Sequence, residues 1–220
     1  MQDPVQRHPT RAEQLDILAS LVADGAEPEA RLLDLGCGKG YVAQLILSRH
    51  PSLHVTGVDR SEAALAEARE NLAAWSRRVT LLTGDLEQFA EGPELEDAGF
   101  RFAISALTFH DLTDGAKQAV IGRVARLLAP GGAFLLYDRL RLTEAALFPL
   151  QQSIWRHLER VHGRGMRTAE SFEGYLADIG SDNRPASLEE YFAWFRAAGL
   201  APACLHLHGN VGLIAGGKPQ

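Results

Sequence analysis

The nine residues Leu32 to Gly40 read LLDLGCGKG and constrain the fold more than any other stretch. Leucines on both sides of Asp34 predict a short buried strand, and glycines at the alternate positions 36, 38 and 40 predict a sharp turn into the apolar segment that follows. A backbone without Cβ takes positive φ readily and lets a ligand approach within contact distance. A helix starting at such a turn points its unsatisfied N–H groups and the positive end of its dipole toward that ligand. The turn is therefore of the kind that cradles a nucleotide, although the local string alone also suits an ordinary glycine-rich corner.

The spacing of acids adds to this. A second strand, LHVTGV, is followed by Asp59, about 20 residues beyond the glycine turn, where an acid accepts the two hydroxyls of a ribose. A third strand, VTLLT, is followed by Gly84, Asp85 and Leu86. Each acid falls at the carboxyl end of a predicted strand, the edge at which open α/β sheets bind ligands. Three in register predict an adenosine site.

The strings DLGCGKG, VTGVDRS, TGDL, FAISALTFHDL and LLAPGGAFLLYD together resemble the motif series of class I S-adenosylmethionine-dependent methyltransferases, strongly over roughly residues 30 to 140 and more loosely near the C-terminus. The resemblance implies an α/β, Rossmann-like, doubly wound sheet of seven strands, mostly parallel with an antiparallel last strand. It implies a cytoplasmic transferase with S-adenosyl-L-methionine as cofactor and an acceptor that is a small molecule. Asp34, Gly36, Cys37, Gly38 and Gly40 would pass under the methionine part of the cofactor. Asp59, with Arg60 beside it, would hold the ribose. Gly84, Asp85 and Leu86 would face the adenine, and Ser105, Ala106 and Leu107 would border the site at the end of strand four. The turn reads GxGxG, whereas the nicotinamide dinucleotide fingerprint is GxGxxG.

Residues 1–28 are expected to form an irregular segment and a first helix, with Thr10 and Glu13 as a capping box and Leu15, Leu18 and Val22 as its apolar stripe. In branches of the family a segment like this folds over the cofactor, which makes Arg7 and His8 candidates to meet substrate. The helix after the glycine turn is expected to pack through Tyr41, Val42, Leu45 and Ile46, and the next, capped by Ser61, through Leu65, Ala68 and Leu72. Strand four, from Phe100 to Leu107, runs into Thr108, Phe109, His110 and Asp111. By the resemblance this loop flanks the activated methyl group, so His110 and Asp111 are substrate-site candidates. His110 is the candidate catalytic base, useful only where the acceptor must lose a proton; the competing reading is that it shapes the pocket. A helix from Asp114 is predicted to stop at Pro130, Gly131 and Gly132 before strand five, Ala133 to Asp138.

The alternation of strand and helix then lapses. Residues 141–186 are expected to be a helical cap inserted over the carboxyl edge of the sheet. Leu147, Leu150, Ile154, Leu158 and Val161 supply one apolar stripe, and Phe172, Tyr175, Leu176 and Ile179 a shorter one. Trp155, His157, His162, Arg164, Arg167 and Tyr175 are the candidate substrate contacts, with Arg164 and Arg167 suited to an anion. Ser187 and Glu190 form a second capping box, and two closing strands, Ala203 to His208 and Asn210 to Gly216, meet across Gly209. The segment RPASLEEYFAWFRAAGL is also similar, more distantly, to carboxy-S-adenosylmethionine synthases. That activity would require Arg184 or Arg196 to receive the extra carboxylate, because Trp194 stands near the position where those enzymes have an arginine.

With 220 residues the chain suits one domain. It contains no long apolar run and no leader-like N-terminus, so no membrane partner is expected. A formal charge of −6 does not favour a general nucleic-acid binder. The two cysteines, Cys37 and Cys204, match no metal spacing, and no metal is expected. The apolar insertion helix could equally pair two subunits in a homodimer. An NAD-dependent oxidoreductase and a non-catalytic cofactor-binding partner subunit remain as alternatives.

Overall fold

The computed structural model describes residues 10–92, 94–95, 97–163, 168–180 and 183–220. Its centre is a seven-stranded sheet of β1 (Arg31–Leu35), β2 (His54–Asp59), β3 (Val79–Thr83), β4 (Phe100–Ala106), β5 (Leu128–Arg139), β6 (Ala201–His208) and β7 (Val211–Gly217), in the order β3-β2-β1-β4-β5-β7-β6. The first five pair in parallel, whereas β7 runs antiparallel between β5 and β6. Helix α1 (Arg11–Gly25) precedes the sheet, α2 (Tyr41–Arg49), α3 (Glu62–Asn71), α4 (Asp114–Leu127) and α7 (Leu188–Ala197) lie between strands, and α5 (Phe148–His162) and α6 (Phe172–Ala177) belong to the insertion.

Side chains alternate across the sheet, as the two-residue period of a strand requires. Leu33, Leu35, Phe134, Leu136 and Ile214 join one core with α4 and α7, where Phe134 meets Phe109 and Phe195 ring to ring. Leu32, Leu135, Tyr137 and Leu213 join the opposite core with Leu15, Leu18 and Val22 of α1 and Ile46 of α2. Both faces are covered, which is why the parallel strands read as nearly continuous apolar runs.

Several sequence expectations are corrected. Thr10 makes no capping bond; its hydroxyl turns to Gln14 Oε1 (3.3 Å), and Gln14 in turn donates to the Val211 carbonyl (3.0 Å). A buried polar tie between α1 and β7 thus replaces the predicted box. In α2 the buried side chains are Ala43, Ile46 and Leu47, while Tyr41, Val42 and Leu45 are only half-buried. Pro130, Gly131 and Gly132 lie inside β5, which begins at Leu128 directly after α4. In α5 the buried residues are Phe148, Trp155 and Leu158, whereas Leu147, Leu150, Ile154 and Val161 face outward. The ring cluster of Phe148, Trp155, Phe172 and Tyr175 takes the inner face of the cap that the leucines were expected to take. Ser187 and Glu190 do form the second capping box.

Candidate active site

Gly36, Gly38 and Gly40 have φ of +71°, +52° and +77°. At Gly36 a Cβ would also lie 2.5 Å from the Thr108 hydroxyl, so the loop after β1 and the loop after β4 touch only because this residue has no side chain. The amides of Gly36 and Cys37 both donate to the Val58 carbonyl, at 2.8 and 3.1 Å. That brings the glycine loop against the end of β2. There the Asp59 carboxylate accepts from Gly38 N (2.8 Å) through one oxygen and from Ser61 N (2.9 Å) through the other.

A cavity of about 420 Å³ opens beside this clasp, lined by residues from the carboxyl ends of four strands and the loops beyond them: Gly36, Asp59 and Arg60, Gly84 to Glu87, Thr108, Asp111, Leu112 and Arg184. Its size falls in the range of small-molecule and cofactor sites. Asp85 caps the short turn after β3 by accepting from Glu87 N (3.0 Å). Glu87 receives Thr113 through both its backbone amide and its hydroxyl, each at 2.8 Å, and Arg184 at 3.4 Å. Arg184 also donates to the Asp111 carbonyl, which draws the end of the cap across to the cofactor-side loops.

The other residues expected at this cavity are near it without lining it. Asp34 is 2 % exposed and one of its oxygens has no hydrogen-bond partner. Burial, with the Asp59 charge nearby, pushes its carboxyl up to about 7. The folded protein therefore binds a proton there that the unfolded chain releases near 3.8, so stability is expected to fall as pH rises through that window. Urea melts across about pH 4 to 7 should show this slope, and Asp34→Asn, neutral throughout, should flatten it. Burial also raises the Cys37 thiol well out of its ordinary range, the opposite of what a nucleophilic thiol needs. Ser105 is buried, its hydroxyl bonded to the Leu35 carbonyl (2.8 Å).

Leu107 takes φ of +56°, an uncommon value for a branched side chain, and its amide is held by the Tyr137 carbonyl at 2.8 Å. It lines a second, smaller cavity, while its neighbour Thr108 lines the first. His110, 8 % exposed, meets the buried Asp138 through Nδ1 at 2.6 Å, and its Nε2 lies 3.5 Å from Asp111 on the wall of the first cavity. Asp138 also accepts from Arg139 N (2.8 Å) and, at 3.5 Å, from the hydroxyl of Tyr191. Burial and that carboxylate push the Tyr191 phenol well above its usual range, so it stays a donor. A carboxylate that orients a histidine is one element of a general base, although His110 lines neither cavity.

Tyr175 lines the second cavity; Trp155, buried in the cap with its indole donating to Asn210 Oδ1 (3.3 Å), lines neither. Arg7, His8, Arg164 and Arg167 lie outside the described residues. His157 is exposed, and His162 stacks edge-on near His208. Sequence reasoning missed Arg11, Tyr137, Arg139, Asn183 and Asn210 at the second cavity. The rule that picked out Asp59 and Asp85, attention to the residue at the end of a parallel strand, would have found Arg139. Among the described residues no cluster of histidine, cysteine or acid side chains is arranged to hold a metal ion, and no helix is long and apolar enough to cross a membrane.

Comparison with known proteins agrees with this geometry. Residues 32–132 match the methyltransferase domain family. The chain is 31% identical over 170 residues to a trans-aconitate 2-methyltransferase of Methylobacterium nodulans, covering 77% of this chain and 57% of that one. It is 30% identical over 210 residues to a carboxy-S-adenosyl-L-methionine synthase of Pseudomonas syringae, covering 90% and 78%. Against the first two curated relatives it spans 57% and 41% of their length. Among solved structures, the YcgJ protein of Bacillus subtilis superposes with a TM-score of 0.68 at 20% identity, covering 96% of this chain and all of that one. An O-methyltransferase family protein of Burkholderia thailandensis gives 0.69 at 20% identity, covering 95% and 56%. These two likenesses show the fold.

Proposed function

Because the chain belongs to the class I S-adenosylmethionine-dependent methyltransferases, we propose that it moves a methyl group from that cofactor to a small-molecule acceptor entering beneath the cap. The observation that carries this reading is the first cavity, where Asp59, clasped by two backbone amides, and Asp85 stand on the same wall as the glycine loop. These residues suit the group: Asp59 keeps lone pairs for two ribose hydroxyls, Asp85 and Leu86 border the space for the adenine, and Gly36 leaves the floor open. The cofactor supplies a methyl group made electrophilic by its sulfonium. The protein's part is to hold donor and acceptor in line, which alone accounts for a large share of rate in such reactions, and to keep water away. The acceptor enters on the far side of Leu107, in the second cavity.

His110 and Asp138 support proton removal from a hydroxyl or amine acceptor. On this reading His110→Gln lowers turnover by about 100-fold while leaving the affinity for S-adenosylhomocysteine within a factor of two or so of wild type. Equal losses in both would make His110 a pocket-shaping residue only.

Calorimetric titration with S-adenosylmethionine, S-adenosylhomocysteine and NADH tests the cofactor assignment. Binding of the first two without NADH is expected; binding of NADH alone would overturn the reading. A second reading, modification of the cofactor itself, is favoured by Arg184 on the cavity wall. Arg196, the other arginine considered for that role, lies over the Phe192 ring. Mass spectrometry of recovered cofactor separates the two, since a carboxylated cofactor is heavier than the one supplied. The exposed Leu147, Leu150, Ile154 and Val161 of the cap are available to a homodimer, and light scattering reads this directly. The location we propose is cytoplasmic.

A further inference from the structure

The second cavity, of about 70 Å³, draws the polar groups that matter here from five segments: Arg11 from α1, Tyr137 and Arg139 from β5, Tyr175 from α6, Asn183 from the loop before α7, and Asn210 beside β7. Its polar groups are unevenly satisfied. The Arg139 guanidinium has no hydrogen-bond or ion-pair partner among the described residues, although its backbone is held in the sheet opposite Val211. Tyr175 Oη accepts from Leu142 N (3.0 Å), and its own proton meets no described acceptor. Asn183 donates through Nδ2 to the Asp178 carbonyl (3.1 Å); this sets the amide's orientation and leaves Oδ1 buried with no partner. Arg11 adds a second positive charge, bonded to the Tyr137 hydroxyl. Asp178, the single acid on the wall among the described residues, and Arg11 are both already engaged.

Leaving a buried polar atom without a partner is costly, so a ligand that satisfies it is selected over one that does not. Among the described residues, a guanidinium and a phenol have no acceptor here and an amide oxygen has no donor. The space, about two water volumes, admits the head of a ligand rather than a whole drug-sized molecule. We propose that this cavity binds the carboxylate end of a small organic acid carrying a hydroxyl or amino group on the adjacent carbon. The carboxylate sits on Arg139 and Tyr175, with Arg11 adding charge, and the adjacent donor bonds Asn183 Oδ1. The proposal rests on the methyltransferase reading for its meaning as the acceptor site, but the acid site itself is a property of these five segments. It gives the reaction a substrate class: hydroxy or amino acids, and not their amides or esters.

The test uses lactate as the probe and lactamide, of the same shape without the charge, as the control. Both are titrated into the full-length protein, with and without S-adenosylhomocysteine, and crystals are soaked with each. Lactate is expected in the second cavity with its carboxylate on Arg139 and its hydroxyl toward Asn183, and lactamide is expected to be absent. Arg139→Gln should weaken lactate about tenfold or more, as loss of a charge-assisted pair does. Tyr175→Phe should weaken it several-fold, with an unchanged circular dichroism spectrum showing that the cap is folded. Lactate absent from this cavity, lactamide bound equally well, or Arg139→Gln binding lactate like wild type would each overturn the proposal. If S-adenosylhomocysteine fails to bind while lactate occupies the cavity, the cofactor reading fails and the acid site stands. If the reverse holds, only the acid site fails.

Discussion

Replacing Asp59 by alanine is expected to weaken S-adenosylmethionine and S-adenosylhomocysteine about 100-fold. Hydrogen bonds to a charged partner contribute about 1.5–3 kcal/mol each, and a ribose held by one carboxylate makes two. The loss goes beyond direct contact, because the same carboxylate holds Gly38 N and Ser61 N. Without it the glycine loop loses one of its ties to the end of β2, while the Gly36 and Cys37 amides still reach Val58. Asp59→Asn separates the two effects. Its remaining oxygen can serve either the backbone or the ligand but carries no charge, so its affinity should lie between the two. Calorimetry on folded protein reads all three, and an Asp59→Ala variant that binds like wild type would remove the ribose assignment.

The largest expected effect on stability is at Asp138. This side chain has no exposed surface and serves His110, Arg139 N and Tyr191 together. Asp138→Ala leaves a buried imidazole and a buried phenol without their acceptor, at a cost of about 3 kcal/mol after the carboxylate's own desolvation is set against it. For a chain of this size that is roughly 10 °C in melting temperature. Tyr191→Phe should cost about 1 kcal/mol or less, since the bond it removes is long at 3.5 Å. Should Asp138→Ala melt like wild type, the His110–Asp138 pair would carry no structural weight and its orienting role would need another explanation.

The parts of this molecule that could be read in advance are those whose physics is local. The glycine turn is legible because positive φ at three alternate positions is a demand on single residues. Asp59 and Asp85 are legible because strand ends are set by short apolar runs. Ser187 and Glu190 are legible because a capping box closes within one turn. The same pattern at Thr10 misled, because Gln14, four residues on, takes the hydroxyl and carries it to β7, 197 positions away. The α5 stripe misled for another reason. Leu147, Leu150, Ile154 and Val161 share one side, but Phe148, Trp155 and Leu158 make a second apolar side, and helical spacing does not say which one the body covers. The second cavity was least legible. Its walls include α1, the loop after β4, β5, the 168–169 segment, α6, the 183–185 loop and β7, and only the tertiary arrangement brings Arg11, Arg139 and Asn183 together.

The placing of β7 between β5 and β6 also imposes an order of events during synthesis. The glycine loop, Asp59 and Asp85 all belong to the first 85 residues, and β1 to β3 can pair as soon as they leave the ribosome. β5 emerges far earlier than its antiparallel neighbour, so Asp138 and Arg139 wait with one edge bare until Val211 to Gly217 arrive. Until then Gln14 lacks the Val211 carbonyl it binds, and the second cavity lacks the wall supplied by Asn210 and Val211. A nascent chain halted before β7 would therefore hold the residues of the first cavity and lack part of the wall of the second. On the proposed reading, the place for the acceptor is completed after the residues that would hold the cofactor.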